Sequence, residues 1–268
     1  MRERGRHGIS GINEREYKTE MKCLILAAGY ATRLYPLTEN FPKPLLKVRD
    51  RTILDWLVED IAASGVVDQY IVISNHKYAH YFQTWADESD YPVTVLDDGT
   101  ECNENRLGAV RDIQFAIDQL GLKDDLLVIA GDNLLDFSLT GFIRYFHEKN
   151  TTVIMRYREE NEEKLHKTGV AVVDENDRII DMEEKPAQPK SHWCTPPFYI
   201  YRASDVNLVK KGIDEGCGVD APGSFIAWLS AATPVHAYEM PGKRYDIGTL
   251  ESYESIKKEY RGIIHEKA

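Results

Sequence analysis

Three cations and two carboxylates of this 268-residue chain stand where they could do chemistry together. Arg33 and Lys43 follow a continuous apolar run, Cys23 to Ala28, in a loop that also carries Gly29 and Thr32. Such a run reads as a parallel strand covered on both faces, so its loop opens at the carboxyl edge of a sheet, where α/β folds bind ligands. Two fixed cations there point to a phosphate-rich ligand. A second apolar run, Leu126 to Ala130, ends in Gly131-Asp132-Asn133 and brings the Asp132 carboxylate to the same edge. Asp246 sits in Arg244-Tyr-Asp-Ile-Gly-Thr249, just before the last helical pattern. Two carboxylates beside a phosphate site suit Mg2+, which takes oxygen ligands and usually combines one or two protein carboxylates with substrate phosphates. Asp132 taken alone also suits a helix N-cap or a turn. Met182-Glu-Glu-Lys-Pro186 adds a third cation, Lys185, and an acceptor for sugar hydroxyls, Glu184; taken alone it is an exposed charged edge.

The elements that must position these groups alternate. Ile53, Leu54, Trp56, Leu57, Val58 and Ile61 form a helical stripe stopped at Gly65, and Tyr70 to Ile73 reads as a strand. A helix over 77–86, a strand over 93–96, a helix over 107–120 and the strand over 126–130 follow. This order predicts an α/β fold, Rossmann-like, with a mostly parallel sheet and helices on both faces. Short strands at 153–157, 169–173, 179–183 and 198–201 predict a small mixed-sheet extension, with helices over 204–211, 224–231 and 250–260.

Composition narrows the function. The net charge of -11 argues against a nucleic-acid partner, which needs a basic footprint. No apolar run approaches the roughly 20 residues that span a bilayer, so no membrane partner is expected and a cytoplasmic location is. Cys23, Cys102, Cys194 and Cys217 lie far apart without metal-ligand spacing and read as reduced thiols in or near the core. Residues 1–20 read as a disordered tail or an upstream extension of the start, 21–262 as a single domain and 263–268 as a tail. The sequence leaves the oligomeric state open, a homo-oligomer included. It contains no Ser-His-Asp, GxSxG or Walker A pattern.

Four pieces then occur in order: Leu26-Ala-Ala-Gly-Tyr-Ala-Thr-Arg-Leu-Tyr-Pro-Leu-Thr38 with Pro42-Lys43, Gly131-Asp-Asn133, Glu183-Glu-Lys-Pro186 and Asp246-Ile-Gly-Thr249. With them the chain resembles, over residues 22–261, the sugar-1-phosphate nucleotidyltransferases, the nucleotide-sugar pyrophosphorylases that include glucose-1-phosphate thymidylyltransferase. The resemblance implies the nucleotide-diphospho-sugar transferase fold, Mg2+, and transfer of a nucleoside monophosphate from an NTP to a sugar 1-phosphate with release of pyrophosphate. It assigns Arg33 to the leaving pyrophosphate, Lys43 to the triphosphate, Lys185 to the sugar phosphate, and Asp132 and Asp246 to the metal. On the nucleotide side it implies Leu26, Ala28, Gly29, Tyr30, Ala31 and Thr32, with Asn105 and Gly108 near the base. On the sugar side it implies Gly169 and Glu184, with Asn133 and Tyr199 as weaker candidates; Tyr199 reads more readily as a core-facing strand aromatic.

The family usually has glycine at the Ala31 position, and often at that of Tyr30, which makes this pair the expected seat of nucleotide choice. Asn105 stands where another glycine is expected, and Arg106 is left between a phosphate and Asp112. The resemblance also keeps alternatives open: a cytidylyltransferase for a non-sugar phosphate, a glycosyltransferase on a related GT-A-like sheet, or a non-catalytic nucleotide-sugar sensor. Retention of every charged group favours an enzyme.

Overall fold

A computed structural model describes residues 21–265; the expected N-terminal tail and residues 266–268 lie outside the described residues. The first strand, β1 (Met21–Leu26), is buried on both faces, and two 3-10 turns, Thr32–Leu34 and Lys43–Leu45, punctuate the long loop after it. A short hairpin of β2 (Lys47–Val48) and β3 (Arg51–Thr52) leads into α1 (Ile53–Ala63), which opens with a reciprocal capping box between Thr52 and Asp55. The predicted alternation follows: β4 (Val67–Ser74), α2 (Ala79–Asp87), β5 (Val93–Asp97), α3 (Ala109–Leu120) and β6 (Asp125–Ala130). Strands β6, β1, β4 and β5 lie side by side in that order, all parallel. The chain leaves β1 toward β4 and β5 on one side and returns to β6 on the other. That reversal opens a crevice at the carboxyl end of β1.

The second half extends the sheet. It comprises β7 (Asn133–Leu135), α4 (Thr140–Lys149), β8 (Thr152–Arg158), α5 (Glu162–Leu165), β9 (Gly169–Val173), β10 (Ile179–Glu184), β11 (Trp193–Thr195) and β12 (Phe198–Tyr201). The remaining elements are α6 (Ala203–Val206), α7 (Val209–Asp214), α8 (Gly223–Ala232), β13 (Val235–Glu239), β14 (Arg244–Asp246) and α9 (Leu250–Glu259). β12 joins β6 to β8 antiparallel, β11 joins β8 to β9, β10 closes that edge, and β13 runs parallel to β8. The result is the expected mixed extension of a mostly parallel sheet.

Alternate residues of β1 feed opposite cores, as the period of a strand requires. Cys23 and Ile25 pack with Leu54, Leu57, Phe142 and Phe146 from α1 and α4. Leu24 packs with Val110, Ile113 and Ile226 from α3 and α8. All four cysteines are free thiols; Cys23 and Cys194 are buried and Cys217 is half-buried, but Cys102 is exposed rather than near the core.

Two of the helical elements that differ from the sequence expectation have a local cause. The helix expected over 204–211 breaks into α6 and α7, because Asn207 Nδ2 donates to the Ala203 carbonyl at 3.0 Å in competition with the helical ladder. Helix α4 was not expected, although Leu139, Phe142, Ile143 and Phe146 have helical spacing and are buried. Among the described residues no helix is long and apolar enough to cross a membrane.

Candidate active site

The loop after β1 is fixed from beneath. The Ala28 carbonyl accepts from Asn75 Nδ2 at 2.9 Å, and the buried Tyr30 donates its hydroxyl to the Thr100 carbonyl at 3.1 Å. Its ring lies 6.0 Å from that of Tyr78, so Tyr30 anchors the loop to the body. Ala31 takes φ 46° and ψ 41°, the left-handed region that costs a non-glycine residue about 1 kcal/mol. Its carbonyl receives Thr38 Oγ1 at 2.8 Å and the Leu34 amide at 2.9 Å, which hold that conformation in place. The glycine-like backbone therefore persists without the glycine. Thr32 then opens the 3-10 turn that carries Arg33. Leu26, Gly29, Ala31, Arg33, Lys43 and Asp132 line a cavity of about 190 Å³ at this edge.

The two acids meet through a two-stranded ribbon. β7 begins one residue after Asp132 and pairs antiparallel with β14, with Asp246 opposite Asn133. Lys43 Nζ lies 2.8 Å from Asp132 Oδ2 and 3.9 Å from Asp246 Oδ1. Burial would raise the Asp132 carboxyl, but the Lys43 ammonium and its hydrogen bond, with Arg244 behind, hold it below the usual carboxylate range. Asn133 is buried and occupied by protein: its Nδ2 donates to Asp132 Oδ1 at 2.9 Å and its Oδ1 accepts from Arg244 Nη1 at 2.6 Å. It thus orients Asp132.

The residues expected on the sugar side, Gly169 and Glu184, lie opposite each other where β9 and β10 pair. Lys185 adopts φ 50° and donates its amide to the Thr168 carbonyl at 3.1 Å, which turns the chain sharply after Glu184. The Glu184 carboxylate is wedged between two glycines. A Cβ on Gly169 would come 3.0 Å from Glu184 Oε2 and 2.3 Å from Thr195 Oγ1, and one on Gly223 would come 2.3 Å from the same Oε2. Burial raises the Glu184 carboxyl and Lys185 opposes that rise. Thr195 Oγ1 is buried without a hydrogen-bond partner among the described residues and lies against the position a Cβ on Gly169 would take. Tyr199 is only 2% exposed and stacks on Tyr201 at 6.1 Å within the core.

A segment that sequence reasoning missed joins the two sides. Gly108 has φ +92°, and a Cβ there would meet the Val219 carbonyl at 2.6 Å. The Val110 amide donates to that carbonyl at 3.0 Å and the Ala109 amide to the Asp220 carbonyl at 3.3 Å. Arg106 donates through Nε and Nη2 to Asp220 Oδ1 at 3.1 and 2.7 Å, while Lys185 Nζ lies 3.8 Å from Asp220 Oδ2. Arg106 thus pairs with Asp220 and not with Asp112. Asn105 Oδ1 accepts from the Cys102 amide at 3.1 Å and closes the turn before it. Asp112 is buried with Oδ1 unpartnered, and burial with the nearby Asp98 pushes its carboxyl up to about 7. Nothing in Gly218-Val-Asp-Ala-Pro-Gly-Ser224 beyond loop composition marks Asp220 or Gly223 in the sequence.

Among the described residues no group of three or more His, Cys, Asp or Glu is placed to hold a metal. The pair Asp132 and Asp246 is the set that fits Mg2+ completed by substrate phosphates.

The model of the nucleotidyl transferase family matches residues 22–262. UDP-glucose pyrophosphorylase complexed with UDP-glucose superposes with a TM-score of 0.77 at 19% identity, over 90% of this chain and 98% of its own. A putative glucose-1-phosphate thymidylyltransferase from Bacillus anthracis, in complex with a sucrose, gives 0.74 at 22% identity, over 92% and 98%. The UTP-bound UGPase from Acinetobacter baumannii gives 0.72 at 20% identity, over 90% and 93%. At these identities the likeness is one of fold, and the same mixed sheet underlies all of them.

Proposed function

Because the chain belongs to the nucleotidyl transferase family, we propose that it is an enzyme that transfers a nucleoside monophosphate from an NTP to a sugar 1-phosphate and releases pyrophosphate. The observation that carries this reading is the convergence of Asp132 and Asp246, 114 residues apart, on the buried ammonium of Lys43.

The nucleophile is an anionic phosphate oxygen, so no general base is required, and the barrier lies in bringing two polyanions into line. Each unit-charge pair at 4 Å repels by about 4 kcal/mol even at an effective dielectric of 20. Catalysis is then charge neutralisation and positioning. Lys43, held between two acids, contacts the triphosphate near the attacked phosphorus. Arg33 receives the leaving pyrophosphate from the rim of the same cavity. Lys185 binds the phosphate of the acceptor. Glu184 and the backbone at Gly169 take the sugar ring, with Thr195 Oγ1 beside them. Asp132 and Asp246 would hold Mg2+, which when bound neutralises phosphate oxygens as a Lewis acid.

The test is a pyrophosphate-release screen with Mg2+ that crosses the common NTPs with sugar 1-phosphates and phosphorylated alcohols. Turnover with a sugar 1-phosphate is the expected result. Turnover confined to a non-sugar phosphate would replace the acceptor class, and tight nucleotide-sugar binding without any turnover would make the protein a sensor.

A further inference from the structure

We propose that the acceptor carries a second anionic group, a phosphate or carboxylate beyond the phosphate that attacks, and that a basic cavity beside the paired acids receives it. This rests on the nucleotidyl-transfer reading and narrows its acceptor. The cavity has a volume of about 870 Å³. Six of its side chains are cationic, Arg33, Arg158, Lys164, Lys167, Lys243 and Arg244, against three carboxylates. Of those carboxylates only Glu159 is closely engaged, because Arg156 pairs nearer with Asp177 at 2.6 Å and Lys43 nearer with Asp132 at 2.8 Å. Glu159 lies 3.2 Å from Lys164, and Glu239 and Asp246 each lie 3.9 Å from a cation outside the cavity, Arg156 and Lys43. Arg158 is tied to Glu160 at 2.7 Å.

Arg33, Lys167, Lys243 and Arg244 therefore form no salt bridge with any carboxylate among the described residues. Arg244 gives its guanidinium to Asn133 and faces the Tyr157 ring at 5.8 Å; Lys243 lies over the Tyr245 ring at 4.3 Å. Neither contact neutralises charge. In a chain of net charge -11, Arg33, Lys167 and Lys243, with Arg244 set between this hollow and Asp132, focus a positive field on an anion.

Position identifies which anion. Thr168 lines this cavity, directly precedes Gly169 and accepts the Lys185 amide, so the cavity adjoins the acceptor end of the site. Arg33 also lines the nucleotide cavity and is shared with the leaving pyrophosphate, whereas Lys167 and Lys243 line only the larger one. A singly phosphorylated sugar with its phosphate on Lys185 leaves Lys167 and Lys243 without an anion. An acidic sugar phosphate satisfies both.

The test compares glucose 1-phosphate with glucose 1,6-bisphosphate and glucuronic acid 1-phosphate, in wild type and in the Lys167→Gln/Lys243→Gln double variant. Wild type is expected to favour one of the doubly anionic acceptors by about tenfold or more in kcat/KM, the weight of a charge-assisted hydrogen bond, and the double variant to lose that preference. Equal kcat/KM for all three, or a preference that survives in the double variant, would overturn the proposal. So would a double variant whose KM rises for pyrophosphate in the reverse reaction and for no acceptor, since the cavity would then serve the leaving group. Calorimetric titration of the same probes keeps the two readings separable. If nothing turns over, the nucleotidyl-transfer reading fails, while tighter binding of a doubly anionic probe that disappears in the variant sustains the cavity and equal binding overturns it.

Discussion

The ammonium of Lys43 lies 2.8 Å from Asp132 Oδ2 and ties the first loop of the sheet to the strand end 89 residues later. Lys43 is only 6% exposed on the 3-10 turn that carries it, whereas the Asp132 side chain stays open to the cavity. Lys43→Ala or Asp132→Asn should lower pyrophosphate release at least about a hundredfold, the scale of losing one preorganised charge contact, while far-ultraviolet circular dichroism stays native. The carboxyl of Asp132 is depressed, so its contribution to stability is complete above its unfolded value of about 3.8 and is lost as pH falls through the lower folded value. The melting penalty of Lys43→Ala should accordingly be largest at neutral pH and fade in acid. Full turnover in both variants would refute their roles.

Asp112 has the opposite sign. Its folded carboxyl is raised from 3.8 to about 7, so the stability tied to its protonated form is present below the unfolded value and lost as pH rises through 7. At about 1.4 kcal/mol per pH unit the full cost of ionising it is roughly 4 kcal/mol. Asp112→Asn should therefore melt above wild type at pH 8, with the gap narrowing as pH falls toward 4. A gap independent of pH, measured by thermal melts across that range, would show that Asp112 does not titrate as described.

Arg106 and Asp220 should behave as a coupled pair. Removing Arg106 frees a carboxylate whose other oxygen lies 3.8 Å from Lys185, and its charge then opposes an acceptor phosphate. Arg106→Ala is expected to raise acceptor KM about threefold with little change in kcat, a modest value because both partners are half exposed. The double variant Arg106→Ala/Asp220→Ala should return toward wild type. Additive effects in that kinetic cycle would mean that the pair does not couple to the site.

The Thr195 hydroxyl separates ligand contact from packing. A buried hydroxyl without a partner costs about 1–3 kcal/mol, so the isosteric Thr195→Val should melt at or above the wild-type temperature. The same variant should raise acceptor KM. Gly169→Ala, whose Cβ would approach Thr195 Oγ1 to 2.3 Å, should lower both stability and kcat/KM. An unchanged KM in Thr195→Val would remove the hydroxyl from the acceptor site.

Residues whose environment is set by nearby chain were legible, and those set by distant chain were not. The apolar runs at 23–28 and 126–130 correctly placed Arg33, Lys43 and Asp132 at one edge of a parallel sheet. Asp125 shows the limit: nothing in the chain around it marks that it is buried and pairs with Arg202 at 3.2 Å. Its partner arrives from 77 residues away.

Read alone, the order of amino acids determined the alternation of strands and helices, the charge types available and the motifs that mark the family, because periodicity and local spacing are properties of contiguous chain. Only the tertiary structure decided the rest. It set Asp246 opposite Asn133, wedged Glu184 between Gly169 and Gly223, and gave Arg106 to Asp220. Each of these is a contact between segments separated in sequence, and its energy exists only once the sheet has closed.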